Sequence, residues 1–198
     1  MKKAKMLSLT ASLVLAITFT LSCSSDDGDE GGGGGSSCTN FKTKQIGTQT
    51  WMAENLNCNV EGSKCYDDDP ANCKKYGRLY NWATAKTACP SGWHLPTNDE
   101  WAELVSFVGS NSGTKLKAKS GWSNNGNGTD DYGFSALPGG YGLSDGSFGT
   151  VGNSGYWWSA SENSSNNAYY RYMDYNGDYA DWRYDKKSGL LSVRCLQD

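Results

Sequence analysis

Residues 89–104 read CPSGWHLPTNDEWAEL, and this stretch carries the most definite local structure in the chain. Thr97 follows a proline and stands three residues before Glu100, which is the spacing of a capping box at a helix N-terminus. The apolar residues of the next turns recur at helical spacing: Trp101, Leu104, Val105 and Val108. An amphipathic helix is therefore predicted, with Gly109 as its end.

On the N-terminal side, residues 41–56 alternate weakly in polarity and carry Gly47-Thr48 near their centre, which predicts a hairpin. A second short helix is predicted over residues 77–89, because three apolar residues there lie at helical spacing: Leu79, Trp82 and Ala83. Cys89-Pro90-Ser91-Gly92 then supplies helix-breaking residues.

On the C-terminal side, loops are expected over residues 110–155, where several glycines permit turns with positive φ: Gly126, Gly128, Gly133, Gly139 and Gly140. Strand patterns return at residues 156–159 and 190–196. Residues 168–185 predict a hairpin with Asn176-Gly177 as a two-residue type I′ turn. The expected fold class is α+β, with two short helices packed on antiparallel hairpins and many loops.

The composition agrees with one loop-rich domain. The chain has 198 residues, of which 13% are aromatic, and large rings can fill a core that has few aliphatic side chains. The formal net charge is −3. No nucleic-acid partner is therefore expected.

The first 22 residues have the features of an export signal. Lys2, Lys3 and Lys5 precede an apolar stretch over residues 6–21, which is typical of a secretory signal peptide. Cys23 follows a small residue, and this junction resembles a bacterial lipobox in which the cysteine is acylated. A plain secretory signal without lipidation is the alternative.

Residues 24–37 are rich in Gly, Ser and acidic side chains, and predict a flexible tether that spans roughly 20 Å. The acidic run resembles surface-export signals of lipoproteins in the Bacteroidetes. We therefore expect residues 1–22 to be a lipoprotein signal peptide, 23–37 a lipid-anchored tether and 38–198 the folded domain. Acylated Cys23 would then partner outer-membrane lipid, with the domain facing the cell exterior.

Six further cysteines predict three disulfides, because even cysteine counts in exported chains indicate a disulfide framework. They are Cys38, Cys58, Cys65, Cys73, Cys89 and Cys195. Cys65 and Cys73 bracket a short loop and are expected to pair. Cys89 and Cys195 would close a loop of about 100 residues, which leaves Cys38 with Cys58. Zinc binding by these cysteines is the alternative, but the chain has no C-x-x-C pair and has a single histidine, His94.

Tyrosine is concentrated between residues 161 and 187, where it is interleaved with Asn and Asp. These residue types are those of antibody binding loops, since tyrosine gives a large contact area at low entropic cost. Alternation along the predicted hairpin places Met173, Ala180 and Trp182 on one face, which is the better core candidate. The opposite face and the turn supply the expected ligand-binding residues: Tyr170, Tyr172, Asp174, Asn176, Asp178, Tyr179, Asp181 and Arg183. The alternative is that these tyrosines are ordinary half-buried strand residues.

No catalytic residue, metal site or cofactor is expected, and the chain is not predicted to be an enzyme. His94 has no evident nucleophile beside it and is interpreted as a hydrogen-bonded structural histidine. The carboxylates of residues 67–69 and 130–131 have an oxygen chemistry that suits calcium, but they lack EF-hand spacing. Turn and loop roles are favoured for both runs.

Five blocks of the sequence resemble the Fibrobacter succinogenes major paralogous domain. They are WMAENLN (51–57), YGRLYNWATA (76–85), CPSGWHLPTNDEWAEL (89–104), NGNGTDDYGFSALPGGY (125–141) and SVRCLQD (192–198). The resemblance implies a C-type-lectin-like fold related to the formylglycine-generating enzyme, in which a helix-borne cysteine pairs with one in the last strand. This implication agrees with a Cys89–Cys195 bond.

Two functional motifs of proteins with this type of fold are missing from the sequence, so neither a copper-dependent activity nor a sugar specificity can be carried over from the resemblance. The copper-binding cysteine pair of the formylglycine-generating enzyme has no counterpart between residues 156 and 192. The calcium-dependent sugar motifs of lectins, Glu-Pro-Asn with Trp-Asn-Asp, are absent from the sequence.

Residues 163–185 also resemble, in composition, the variable region of diversity-generating retroelement target proteins. We therefore expect a surface-exposed lipoprotein module that recognises protein or glycan ligands through the C-terminal hairpin. The alternatives are a structural cell-envelope lipoprotein without a specific ligand and, third, an enzyme of the formylglycine-generating type.

Overall fold

The computed structural model describes Met1, Cys38 and residues 41–198. The predicted signal peptide beyond Met1, the lipidation at Cys23 and the predicted tether lie outside the described residues. Within the part that is described, no helix is both long and apolar enough to cross a membrane.

The described domain contains twelve strands, four α-helices and one 3₁₀ turn at Tyr66–Asp68. In chain order the elements are β1 (Thr43–Ile46), β2 (Gln49–Met52), β3 (Ser63–Lys64), α1 (Pro70–Tyr76), β4 (Leu79–Tyr80), α2 (Trp82–Ala88), β5 (Trp93–His94), α3 (Asn98–Val108), α4 (Ser112–Leu116), β6 (Tyr141–Gly142), β7 (Phe148–Gly149), β8 (Ser154–Glu162), β9 (Asn167–Asp174), β10 (Asp181–Lys186), β11 (Leu191–Ser192) and β12 (Leu196–Gln197).

The strands form three sheets. A four-stranded sheet has the order β1-β2-β12-β5, a six-stranded sheet the order β10-β9-β8-β11-β4-β3, and β6 pairs with β7. The predicted N-terminal hairpin is confirmed, since β1 and β2 pair antiparallel around Gly47-Thr48. The last two strands, β11 and β12, occupy interior positions of the six-stranded and the four-stranded sheet, so residues near 191–197 complete both sheets. The α+β class is confirmed.

The helix predicted from the capping box is also confirmed. The Thr97 hydroxyl accepts a hydrogen bond from the Glu100 N–H, and the Glu100 carboxylate accepts one from the Thr97 N–H. Helix α3 ends where Gly109 adopts a φ of 74°. Its buried side chains are Trp101, Leu104 and Val108.

The second predicted helix is shorter than expected and turns a different face inward. Leu79 and Tyr80 form strand β4, and Asn81 caps α2 by accepting a hydrogen bond from a backbone N–H of the first turn. Ala83 is exposed. The buried helical positions are Trp82, Ala85 and Ala88. Helices α1 and α4 come in addition to the two predicted, because stretches of seven and five residues are too short for a clear apolar period.

Aromatic side chains fill the core, as the composition predicts. Four tryptophans are completely or almost completely buried: Trp51, Trp101, Trp157 and Trp158. Trp51 packs on Trp101 with ring centroids 4.6 Å apart, and Phe134 meets both rings edge-on. Such tilted and edge-on pairs add to the stabilisation from buried area.

Three disulfides join the sheets and loops in the pairing expected from the sequence. They are Cys38–Cys58, Cys65–Cys73 and Cys89–Cys195, with Cα–Cα distances of 5.6, 4.9 and 5.9 Å. The Cys89–Cys195 bond ties the end of α2 to the segment before β12 across 106 residues.

A buried polar centre lies between the two large sheets, and it has no counterpart in the sequence-based expectations. Arg194 is fully buried, and its guanidinium donates hydrogen bonds to Asn55 Oδ1 at 2.8 Å and to the carbonyl oxygens of Met52 and Phe134. Trp157 Nε1 donates to the same Asn55 oxygen at 2.8 Å. Burial lowers the pKa of Arg194 to about 9, so the side chain stays charged at neutral pH.

Candidate functional site

The C-terminal hairpin has the predicted register but not the predicted turn. Strand β10 pairs antiparallel with β9, with Asp181 opposite Tyr172 and Arg183 opposite Tyr170. The connection runs over residues 175–180 instead of two residues. A type I′ turn needs positive φ at both central residues, and neither Asn176 nor Gly177 has one.

The loop of residues 175–180, named here the tip loop, is held by a buried ammonium group. Lys117 is 3% exposed, and its Nζ donates to the carbonyl oxygens of Asp174 at 2.9 Å, Gly177 at 3.0 Å and Tyr175 at 3.4 Å. Burial lowers the pKa of Lys117, although the nearby carboxylates of the hairpin oppose that effect. This clamp explains why the chain opens into a wider loop where the Asn-Gly pair predicts a tight turn.

Helix α4 and the segment after it support the tip loop through further backbone contacts. The N–H groups of Gly113 and Thr114 donate to the carbonyl oxygen of Asp178 at 2.9 and 3.4 Å. A Cβ on Gly113 would lie 2.6 Å from the Tyr179 carbonyl oxygen, and a Cβ on Gly126 would meet the Tyr175 backbone. Gly126 therefore serves close approach rather than the positive φ expected from the sequence.

Because these contacts use backbone atoms of the loop, they leave three of its side chains accessible to solvent, whereas Ala180 is buried. Asn176, Asp178 and Tyr179 are exposed, with Tyr179 at 58%. One of them has a side-chain bond to the frame, from the Thr114 hydroxyl to the Asp178 carboxylate at 3.1 Å. The tip loop thus combines a fixed backbone with accessible polar and aromatic groups.

The two tyrosines of the predicted ligand-binding face that lie on β9, Tyr170 and Tyr172, are half-buried rather than fully exposed. Tyr170 packs edge-on against Trp158 and Tyr156, and burial raises its pKa to about 12. The rings of Tyr172 and Tyr156 are stacked, with their centroids 6.3 Å apart. The Arg183 guanidinium lies over the Tyr172 ring and donates a hydrogen bond to the Tyr172 hydroxyl at 3.3 Å. Tyr170, Tyr172 and Tyr156 therefore form a continuous aromatic strip, which Tyr170 joins to the core through its contact with Trp158.

The remaining predicted site residues differ in accessibility. Asp174 is half-buried, and its carboxylate accepts a hydrogen bond from the Ser154 hydroxyl, so part of its capacity is used within the fold. Asp181 and Arg183 are exposed on β10. The hairpin therefore brings all eight predicted residues onto one strand pair and its loop: Tyr170, Tyr172, Asp174, Asn176, Asp178, Tyr179, Asp181 and Arg183.

The opposite face was expected to be core, and that expectation is wrong for β10. Met173 and Ala180 are buried, but Trp182 is 54% and Tyr184 55% exposed. The reason is position, because β10 is the edge strand of the sheet and all six of its residues are exposed. Opposite Trp182 on β9, Arg171 is buried, and its Nε and one terminal nitrogen have no hydrogen-bond partner among the described residues. Burial lowers the pKa of Arg171 to about 10.

His94 is held by hydrogen bonds at both ring nitrogens. Its Nδ1 lies 2.7 Å from Asp198 Oδ1 and its Nε2 lies 3.0 Å from Glu100 Oε1. Partial burial lowers the pKa of His94, but the hydrogen bonds and charges of these two carboxylates outweigh it and hold the pKa above 6.5. The arrangement links β5 to the start of α3, in agreement with the structural role expected for this histidine.

The two acidic runs also have local structural roles. Asp69 caps α1 by accepting a hydrogen bond from the Ala71 N–H at 2.9 Å. Asp130 accepts hydrogen bonds from the Ser135 N–H at 2.7 Å and from its hydroxyl at 2.6 Å. Among the residues that the structure describes, no three His, Cys, Asp or Glu side chains group as metal ligands would.

A separate cavity of about 340 Å³ lies between the segment after β2 and the end of α1. Its lining includes Glu54, Asn55, Lys74 and Tyr76. The oxygen of the Asn55 side chain is taken by Trp157 and Arg194, and its nitrogen donates to the Tyr76 carbonyl. The cysteines that line the cavity are in disulfides, so they provide no nucleophile there.

These features define a small disulfide-linked α+β domain that presents a tyrosine-rich hairpin at one sheet edge. The chain belongs to the family of the Fibrobacter succinogenes major domain, whose family model matches residues 45–197. No curated protein and no solved structure matches the sequence significantly.

Proposed function

We propose that this protein is a surface-exposed lipoprotein binding module that recognises protein or glycan ligands through its C-terminal hairpin. The observation that carries the proposal is the tip loop, whose backbone is fixed by Lys117 and Gly113 while Asn176 and Tyr179 face solvent. A loop ordered before binding loses less conformational entropy when its ligand arrives. Tyrosine at such a position offers contact area with few torsions to restrict.

The anchoring part of the proposal rests on the sequence alone. Acylation of Cys23 with more than one chain would fix the protein to the outer membrane, since a single chain binds only marginally. The Gly/Ser-rich tether would then hold the domain clear of the headgroups on the exterior side. The C-type-lectin-like relation is part of the same proposal, and the three disulfides and mixed sheets are compatible with it.

Diversification of the hairpin is supported by how the tip loop is held. Lys117 and the N–H groups of α4 bind loop carbonyls, which every residue type supplies. Exchange of side chains at Asn176 or Tyr179 would leave those bonds in place. A retroelement that rewrites these codons would thus alter the ligand without altering the frame.

An array of glycans and of extracellular proteins tests the binding function. The wild type is expected to bind a defined subset of the array, and Tyr179→Ala to lose it. Phe107→Ala is the matched control, since Phe107 is 55% exposed on α3 and outside the hairpin. Equal loss in both variants, or unchanged binding by Tyr179→Ala, would refute a role for the tip loop.

The leading alternative, a structural envelope lipoprotein, is favoured by one observation. Tyr170 is packed into the edge of the core between Trp158 and Tyr156, as a purely structural tyrosine would be. An empty array result combined with a strongly lowered melting temperature for Tyr170→Ala would support this alternative.

A further inference from the structure

Within the described part of the chain, strand β10 offers a free backbone edge. It lies at the end of the six-stranded sheet, pairs with β9 on one side, and has every residue exposed. An edge strand with unpaired N–H and C=O groups can accept another strand.

The register shows which groups are free. The Lys187 N–H donates to the Asn166 carbonyl at 2.9 Å, one step beyond the β9–β10 ladder and in the same register. Along an antiparallel strand, the N–H and C=O groups of successive residues point alternately towards one neighbouring strand and away from it. The N–H and C=O groups of Trp182 and Tyr184 therefore point away from β9.

At the next outward position the backbone is already occupied. The Lys186 N–H donates to the Asp185 carboxylate at 2.6 Å, and the Lys186 carbonyl accepts from the Gly189 N–H at 2.9 Å. Among the residues that the structure describes, the open part of the edge is therefore limited to the two donors and two acceptors of Trp182 and Tyr184.

The side chains on the two faces of this edge have distinct chemistry. One face presents the exposed rings of Trp182 and Tyr184. Both rings pack edge-on against Tyr169, with centroid distances of 5.5 Å for Trp182 and 6.3 Å for Tyr184. The other face presents an alternating charge pattern: Asp181, Arg183 and Asp185.

This charge pattern opposes pairing with a second copy. The antiparallel register that would satisfy all four free groups of Trp182 and Tyr184 places Arg183 opposite Arg183 and Asp181 opposite Asp185. Like charges directly opposite one another destabilise a strand pair. This register therefore disfavours pairing of β10 with its own copy, while the backbone groups of Trp182 and Tyr184 stay open to other chains.

We infer that the hairpin binds an extended segment of another protein, added beside β10, in which basic, acidic and basic side chains alternate with apolar ones. The acidic residue would lie opposite Arg183, and the basic residues opposite Asp181 and Asp185. The apolar residues would pack on Trp182 and Tyr184. This inference rests on the proposed function and names its partner as a protein strand.

Two synthetic peptides test the charge complementarity on the unmodified full chain. The matched peptide is acetyl-Thr-Lys-Val-Glu-Val-Lys-Thr-amide, and the inverted one exchanges Lys and Glu. NMR titration is expected to shift the amide signals of Trp182 and Tyr184 with the matched peptide, and the inverted peptide to bind about tenfold more weakly. Equal affinity of the two peptides, or shifts confined to other regions, would overturn the inference.

A pair of variants tests the backbone bonds. Tyr184→Pro removes the ring and the outward N–H, whereas Tyr184→Val removes the ring alone, and proline is tolerated on an edge strand where its N–H would face solvent. The valine variant is expected to keep binding within about threefold, and the proline variant to lose about tenfold or more. Equal binding by the two variants would contradict strand addition.

The outcomes separate this inference from the proposed function. Array binding that depends on Tyr179, without any peptide binding, would leave the hairpin as the binding surface and overturn the added strand alone. Peptide binding in Tyr179→Ala at wild-type strength would locate recognition on β10 rather than on the tip loop. Concentration-dependent dimers in sedimentation that disappear in Tyr184→Pro would show a second copy as the occupant and overturn the inferred partner.

Discussion

Replacing Lys117 with methionine removes the ammonium group that holds the tip loop while keeping most of the side-chain stem. The lysine stem lies in a buried position beside the Trp122 ring, with Nζ 5.2 Å from the ring centroid. Methionine is flexible enough to fill that space. The change therefore isolates the three hydrogen bonds to the carbonyls of Asp174, Tyr175 and Gly177.

The expected loss of stability in Lys117→Met can be estimated from the lengths of the three hydrogen bonds that Lys117 Nζ donates. Two of the bonds are 2.9 and 3.0 Å long and the third, at 3.4 Å, is weaker. A hydrogen bond to a charged group contributes about 1.5–3 kcal/mol, and the cost of burying the ammonium offsets part of the sum. We expect a net loss of about 3 kcal/mol in the free energy of unfolding, or about 6–12 °C in melting temperature for a domain of this size.

Urea unfolding followed by tryptophan fluorescence measures the loss, and hydrogen exchange locates it. The amides of residues 177–179 are expected to exchange faster in Lys117→Met, while those of α3 change less. Lys119→Met is the matched control, because Lys119 is exposed two residues away, and it should alter stability by less than about 0.5 kcal/mol. A Lys117→Met protein as stable as the control would refute the clamp.

Two further predictions concern the frame. The pKa of His94 is raised in the folded state above its unfolded-state value of about 6.5. The protonated imidazole therefore stabilises the fold fully below about pH 6.5, and this stabilisation is lost as the pH rises through the folded-state pKa. The difference in melting temperature between wild type and His94→Gln should therefore be larger at about pH 5.5 than at about pH 8.5, and a constant difference would contradict this role. Serine replacement of both Cys89 and Cys195 should cost about 4–5 kcal/mol in urea unfolding, against about 2–3 for the Cys65–Cys73 pair, because the closed loops span 106 and 8 residues. Equal losses would show that loop length does not govern these bonds.

Local sequence signals predicted the parts of the fold that depend on neighbours along the chain. The capping box at Thr97 and Glu100 located α3, and the cysteine spacing with the family resemblance located the disulfides. These features are set by interactions within one turn or by a covalent pair, so their patterns are visible without the tertiary structure.

Features that depend on distant partners were not visible in the sequence. The Asn176-Gly177 pair favours a tight turn, but Lys117, about 60 residues earlier, draws the loop open with bonds to its carbonyls. Alternation placed Trp182 with Met173, yet it could not show that β10 is an edge strand. Nothing in the local sequence around Arg194 indicates that this residue is buried, because its burial and its hydrogen bond to Asn55 depend on segments that are distant in the chain.

The central claim is that the tip loop recognises its ligand with side chains that the fold does not require. The most direct measurement is the array binding profile of Asn176→Ala/Tyr179→Ala, recorded on protein whose melting temperature is determined in parallel. The account predicts that the wild-type profile disappears while the melting temperature stays within about 2 °C. A profile that persists, or a melting temperature that falls as far as in Lys117→Met, would contradict it.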